Sequence, residues 1–218
     1  MSSAPDNQAA SPFVPLPHDE PLRAAWPTPN HNLIVAPEKF FASTRVNPDY
    51  GKPGFTRDCG RRVHRGADIA PIHLTPTGKT ARVTFTDCAT QTDFDSDEPA
   101  FTPHDDVFAV CDGTVHKLVT DETASDFGKH IVLEHRWPRS GAVFYTLYAH
   151  LAETAVSGPV KTGDRIGRMG QTSRIADARN WMQIAPHLHF EVRDADNRHH
   201  DPAEFLRRFC SGNVPAAL

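Results

Sequence analysis

The sequence contains no run of about 18 apolar residues, so none of its segments reads as a membrane-spanning helix. It also lacks an excess of positive charge. Lys and Arg number 23 against 27 Asp and Glu, a net charge of −4, which argues against a nucleic-acid-binding surface. Cysteines are few. The four, at 59, 88, 111 and 210, form no CxxC pair, so a cysteine zinc cluster is a poor reading. Two disulfides or free buried thiols both fit the count, and an oxidising compartment would permit the bridges. Long helical patterns are missing as well, because 19 prolines and 13 glycines break the chain into turns. The first 37 residues show no basic start followed by an apolar stretch, and they do not read as a secretory leader.

What remains is a globular composition. With 39% hydrophobic and 23% charged residues, 218 residues suffice for one domain with a substantial core. The stretch 1–37, rich in Pro, Ala, Ser and Asn, reads as a flexible arm. Residues 38–210 read as a single domain, and 211–218 as a C-terminal tail. Short strands are expected at Val107–Val110, Thr114–Val119, His130–His135, Val143–Tyr148, Arg165–Gly167 and His187–Val192. Asp112-Gly113 and Ser140-Gly141 mark turns between them, which argues for antiparallel sheets. A short helix is expected over Glu204–Phe209, started by Asp201-Pro202.

The histidines carry the chemistry. In the alternating run His187-Leu188-His189-Phe190-Glu191-Val192, strand geometry puts His187, His189 and Glu191 on one face and the apolar residues on the other. His64-Arg65-Gly66-Ala67-Asp68 places an imidazole and a carboxylate four residues apart. Both are good zinc ligands, and the glycine favours a loop running into a short strand. A third histidine, His150, ends the strand-like run before it, in Tyr148-Ala149-His150-Leu151. A catalytic zinc takes three protein ligands and keeps a position open, so five candidates leave two over for proton transfer.

These three segments, in this order, resemble the lysostaphin/LytM-type zinc endopeptidases, which cleave peptide cross-links of bacterial cell walls. The resemblance extends to Val110–Val115, Ile131–His135, Gly163–Gly167 and Pro186–Arg193, and covers about half the chain, roughly 61–71 and 107–205. It implies a mainly β fold of antiparallel sheets, sandwich-like, with few short helices and an open groove holding one Zn2+. His64, Asp68 and His189 would be its ligands. His187 and His150 would be catalytic, with His187 closest to the attacking water and His150 as oxyanion stabiliser or acid. Tyr148, which as a strand residue would share a face with His150, and His130 are candidate support or substrate residues, with core packing an equal reading for Tyr148. The substrate class implied is peptidoglycan peptide, with no nucleic acid partner, no integral membrane segment and a monomeric chain, exposed to the periplasm or the exterior.

Two stretches depart from that pattern. Residues 72–106 hold the alternating Lys79–Thr86 and the acidic Asp93–Glu98, and read as an inserted hairpin or long loop at the groove rim. Residues 171–185 include 174–181, which could form a helical turn beside the groove. In some relatives a preceding segment lends zinc a ligand; Asn47 or Asp49 could do so, although an Asn-Pro turn is the plainer reading. His199-His200 precede a helix start and do not suggest a second metal site. The alternative function is a non-catalytic wall-binding or amidase-regulating module of the same fold. Zinc DD-carboxypeptidases rank lower, because their first ligand pair is more widely spaced than His64 and Asp68.

Overall fold

The computed structural model describes residues 11–174 and 185–210. Its architecture is antiparallel β throughout. A seven-stranded sheet holds, in order, β11 (Pro159–Val160), β7 (Gly113–Val119), β8 (His130–Arg136), β9 (Val143–Ala149), β13 (Leu188–Asp194) and β14 (His199–His200), with β3 (Ala67–Ile69) also paired to β13. A three-stranded sheet is formed by β10 (Leu151–Thr154), β12 (Arg165–Met169) and β6 (Asp106–Phe108). Two hairpins complete the list: β1 (Gly54–Arg57) with β2 (Arg62–His64), and β4 (Leu74–Asp87) with β5 (Thr92–Pro103). Helices are confined to α1 (Pro37–Phe40) and α2 (Pro202–Phe209) among the described residues. No helix there is long and apolar enough to cross a membrane.

The core follows from strand alternation. Leu188, Phe190 and Val192 leave one face of β13 and are fully buried. They meet α2, whose Phe205 ring lies 6.4 Å from Phe190, and Trp137 stacks on Phe144 at 4.2 Å. Side chains of the small sheet, among them Val107, Leu151, Ile166 and Met169, enter the same core. Asp201 caps α2 as its spacing predicts, its carboxylate accepting from the backbone N–H of Ala203 and Glu204 at 2.8 and 3.2 Å.

Two expectations change. The arm expected over 1–37 is, from residue 11, laid onto the core: Leu16, Ala24, Trp26 and Leu33 are buried, and Ala24 N–H reaches Phe209 O at 2.9 Å. Four spaced apolar side chains among prolines gave no periodicity to read. The strands are shifted by one or two residues, so that β6 ends at Phe108 and β13 begins at Leu188, with His187 in an isolated bridge to Gly170. The insertion over 72–106 is a hairpin, paired from Leu74↔Pro103 to Asp87↔Thr92. Buried Asp105 anchors its base by accepting from the N–H of Ile72 and His73. Its tip is tied by a Cys59–Cys88 disulfide to the turn between β1 and β2, while Cys111 and Cys210 are free and buried. The tail over 211–218 and most of 171–185 lie outside the described residues.

Candidate metal centre

Strand register assembles the site. β13 pairs with β3 so that His189 stands opposite Asp68, and with β9 so that His189 stands opposite Ala149, next to His150. Directly opposed residues in an antiparallel pair point to the same face. The imidazole of His189 and the carboxylate of Asp68 are therefore brought together by backbone pairing. His64 ends β2, and Arg65-Gly66 turn the chain into β3, which returns Asp68 to the same spot.

His64, Asp68 and His189 each offer one ligand atom, and these atoms lie within 4.8 Å of one another, all three residues being buried. His189 Nδ1 donates to Asp68 Oδ1 at 2.8 Å, and His64 Nε2 lies 3.2 Å from that oxygen. The far ring nitrogens are occupied elsewhere. His64 Nδ1 donates to Lys52 O at 2.9 Å, which leaves its Nε2 lone pair facing the cluster. His189 Nε2 donates to Glu191 Oε1 at 2.8 Å, which reserves Nδ1 for the cluster. Carboxylate or carbonyl partners behind metal-ligating imidazoles fix tautomer and ring orientation in this way. The donor set thus fits a single zinc ion.

The charges agree with this arrangement. Burial opposes ionisation of Asp68, but the nearby His187 and hydrogen bonds from His189 and His64 outweigh it and hold the carboxyl well below its usual range. Burial likewise disfavours charged His189, yet hydrogen bonds to Asp68 and Glu191 and their negative charge push it up to about 9. Glu191 is held far below the usual carboxylate range against its burial, first by hydrogen bonds from His189 and His199. Arg193 also pairs with it at 2.5 Å.

His187 and His150 flank the cluster. His187 Nδ1 donates to Ala185 O at 2.7 Å, and its Nε2 lies 3.6 Å from Asp68 Oδ1. His150 Nδ1 donates to Thr172 O at 2.8 Å. Both rings therefore keep an unprotonated Nε2. Their centroids are 4.7 Å apart, and His150 is 5.9 Å from His189. Burial, with His187 and His189 close by, lowers His150 to about 3; burial also lowers His187, against the pull of Asp68. His150 adopts φ +62°, a left-handed turn between β9 and β10, and its N–H is held by Phe127 O at 2.9 Å.

Two candidates take other places. Tyr148 is fully buried on the core face, 5.4 Å from Phe190, and its hydroxyl accepts from Val110 N–H at 3.0 Å and from Thr146 at 3.1 Å. It packs, and does not reach the imidazoles. The reading of a shared face with His150 fails because the positive φ at His150 breaks the alternation. His130 is buried with Nδ1 on Gly128 O at 2.8 Å, and Phe127 stands between it and His189, at 5.8 and 5.4 Å. Asn47 and Asp49 are turn residues, bonded to Thr56 O and Lys52. Sequence reasoning missed Glu191 as the partner behind His189, His199 behind Glu191 at 3.1 Å, and Phe127. Period-2 alternation signalled the first. Nothing local signalled the others.

Arg57 is the least expected member. Its guanidinium Nη2 donates to Asp68 Oδ2 in a buried ion pair and lies 3.0 Å from His64 Nε2.

The sequence model of peptidase family M23 matches residues 97–202, which include His150, His187 and His189 and stop short of His64 and Asp68. No curated protein matches the chain. Similar solved structures include the catalytic domain of the antimicrobial peptidase lysostaphin from Staphylococcus simulans. It is 21% identical, with a TM-score of 0.43, over 72% of this chain and 90% of that one. Whole lysostaphin from the same organism is 18% identical, with a TM-score of 0.45, over 92% of this chain and 58% of that one. A mutant catalytic domain of the prophage-encoded M23 protein EnpA from Enterococcus faecalis is 18% identical, with a TM-score of 0.36, over 87% and 95%. Residues 97–202 match peptidase family M23, and together with the ordered histidine motifs this match supports the lysostaphin/LytM-type family for the chain.

Proposed function

We propose that this chain is a zinc-dependent endopeptidase that hydrolyses peptide bonds in the stem or cross-bridge peptides of peptidoglycan. The observation that carries the proposal is the convergence of one ligand atom each from His64, Asp68 and His189, beside two imidazoles with free Nε2 atoms. The Cys59–Cys88 bridge supports action in the periplasm or outside the cell, where disulfides persist.

His64 Nε2, an Asp68 carboxylate oxygen and His189 Nδ1 would hold the ion. When bound, zinc polarises a carbonyl and brings the pKa of water to about 7. The chain's own groups do the rest. His187, whose Nε2 is 3.6 Å from Asp68 Oδ1, accepts the proton of the attacking water and returns it to the leaving amine. Ala185 O fixes the ring so that Nε2 is the accepting atom. His150, lowered to about 3, rests neutral. An imidazole steadies an oxyanion only through an N–H, so His150 takes that part by accepting at Nε2 the second proton of the attacking water, which passes to the departing amine as the C–N bond breaks. Glu191 holds the His189 ring in its ligating orientation.

Metal analysis of the purified chain tests the assignment of roles. Wild-type protein should carry one zinc per chain, His189→Ala should lose it, and His187→Ala should keep the metal while losing turnover. Retention of full zinc by His189→Ala, or normal turnover by His187→Ala, contradicts the assignment.

A further inference from the structure

Arg57 ends β1, buried, with its guanidinium inside the ligand cluster. It uses the acceptors that a metal would use. Nη2 donates to Asp68 Oδ2 and points at the His64 Nε2 lone pair from 3.0 Å. His189 Nδ1 lies 3.3 Å from that same His64 nitrogen. A zinc–imidazole bond is about 2.0 Å, so an ion shared by these three ligands needs the space and the lone pair that Arg57 now takes. Two cations on one buried carboxylate also repel each other strongly.

We propose that Arg57 is a built-in competitor of the metal: its guanidinium and a zinc ion exclude one another from the His64–Asp68–His189 cluster, and Arg57 withdraws when the site loads. This rests on the proposed metal role of that cluster. In this inward station the guanidinium carbon also lies 3.6 Å from the ring centre of Tyr50, a residue 40% exposed, so the cation–π contact lies on the side that opens to the surface. The backbone holds the inward station. Just beyond Arg57, Asp58 and Cys59 have φ of 48° and 57°, and Cys59 is bridged to Cys88 at the tip of the β4–β5 hairpin. The inserted hairpin thus fixes the turn from which Arg57 projects.

A supporting role makes the opposite prediction. If Arg57 steadied Asp68 Oδ2 while the metal sat on Oδ1, removing it would weaken metal binding. The test is zinc titration of the metal-stripped full chain against a chromophoric chelator, for wild type, Arg57→Met, Arg57→Lys and His189→Ala. Methionine keeps the packing of the stem and removes the charge. Arg57→Met should bind zinc at least about tenfold more tightly than wild type, the direction set by removing a like charge from a buried carboxylate. Arg57→Lys, with a cation but no planar fork, should fall between the two. It also serves as the measurement if the methionine variant does not fold. Equal or weaker zinc binding by these variants overturns the proposal. His189→Ala binding zinc as wild type does would overturn the ligand set itself, a separate outcome.

Discussion

Gly66 offers a sharp test of how the candidate metal centre is built. It lies buried between β2 and β3, and its φ is not in the left-handed region, so an alanine costs little in backbone conformation. The cost is elsewhere. A Cβ at this position would stand 2.3 Å from His189 Cε1, 2.6 Å from Nε2 and 2.9 Å from Nδ1. Ordinary carbon contacts are about 3.5 Å, so the ring must retreat by about 1.2 Å, the difference from 2.3 Å. His189 cannot do this and keep its partners. Its bonds to Asp68 and Glu191 are both 2.8 Å, and such a shift takes at least one beyond hydrogen-bonding range. Metal–ligand distances tolerate only about 0.2 Å. Gly66→Ala should therefore lower zinc affinity by about a hundredfold or more, in line with displacing a ligand ring and straining its bond to the orienting Glu191. The overpacking should cost roughly 1–3 kcal/mol of stability. Chelator competition reads the first and denaturant unfolding of the metal-free protein the second. A variant that folds and binds zinc within threefold of wild type would show that the ring has room, and would refute the close-packed site described above.

Glu191→Gln keeps the size of the side chain and removes the charge behind His189; zinc affinity measured by calorimetry should drop about 10–100-fold with the fold intact. Unchanged affinity would mean that Glu191 only pairs with Arg193. Tyr148→Phe should leave the Val110 N–H without its acceptor, lowering stability by about 1–3 kcal/mol with turnover per folded molecule preserved. A large loss of turnover at unchanged stability would restore the catalytic role considered from sequence. Burial pushes the Cys111 thiol up to about 12 and raises Cys210 as well, so neither has a reactive thiolate near neutrality. Alkylation at pH 8 followed by mass spectrometry should label none in the native protein, two after denaturation and four only after reduction. Early labelling of either would place it at the surface.

The cluster of His64, Asp68 and His189 was legible because its residues stand in short, ordered spacings. His187-x-His189 sits in a strand pattern, His64 and Asp68 bracket a glycine, and His150 closes a strand. The inserted hairpin was legible for the same reason, through alternation over Lys79–Thr86. What escaped depends on register and long-range packing. Arg57 reaches Asp68 only because β1 pairs with β2 and β3 pairs with β13. Phe127 enters from the loop between β7 and β8. The pairing of Cys59 with Cys88 needs the hairpin tip to fold back, which no spacing of four cysteines dictates. Tyr148 misled because strand alternation assumes that His150 continues β9, whereas its positive φ ends it.

Digestion of purified cell walls of defined cross-link type tests the central claim most directly. Wild-type protein loaded with zinc should release peptide fragments whose masses name one cleaved bond, stop when a chelator is added, and resume when zinc is restored, while His189→Ala releases none. Release that survives the chelator and the His189→Ala substitution, or none from any wall type by zinc-loaded protein, would contradict the reading of His64, Asp68 and His189 as the metal centre of a peptidoglycan endopeptidase.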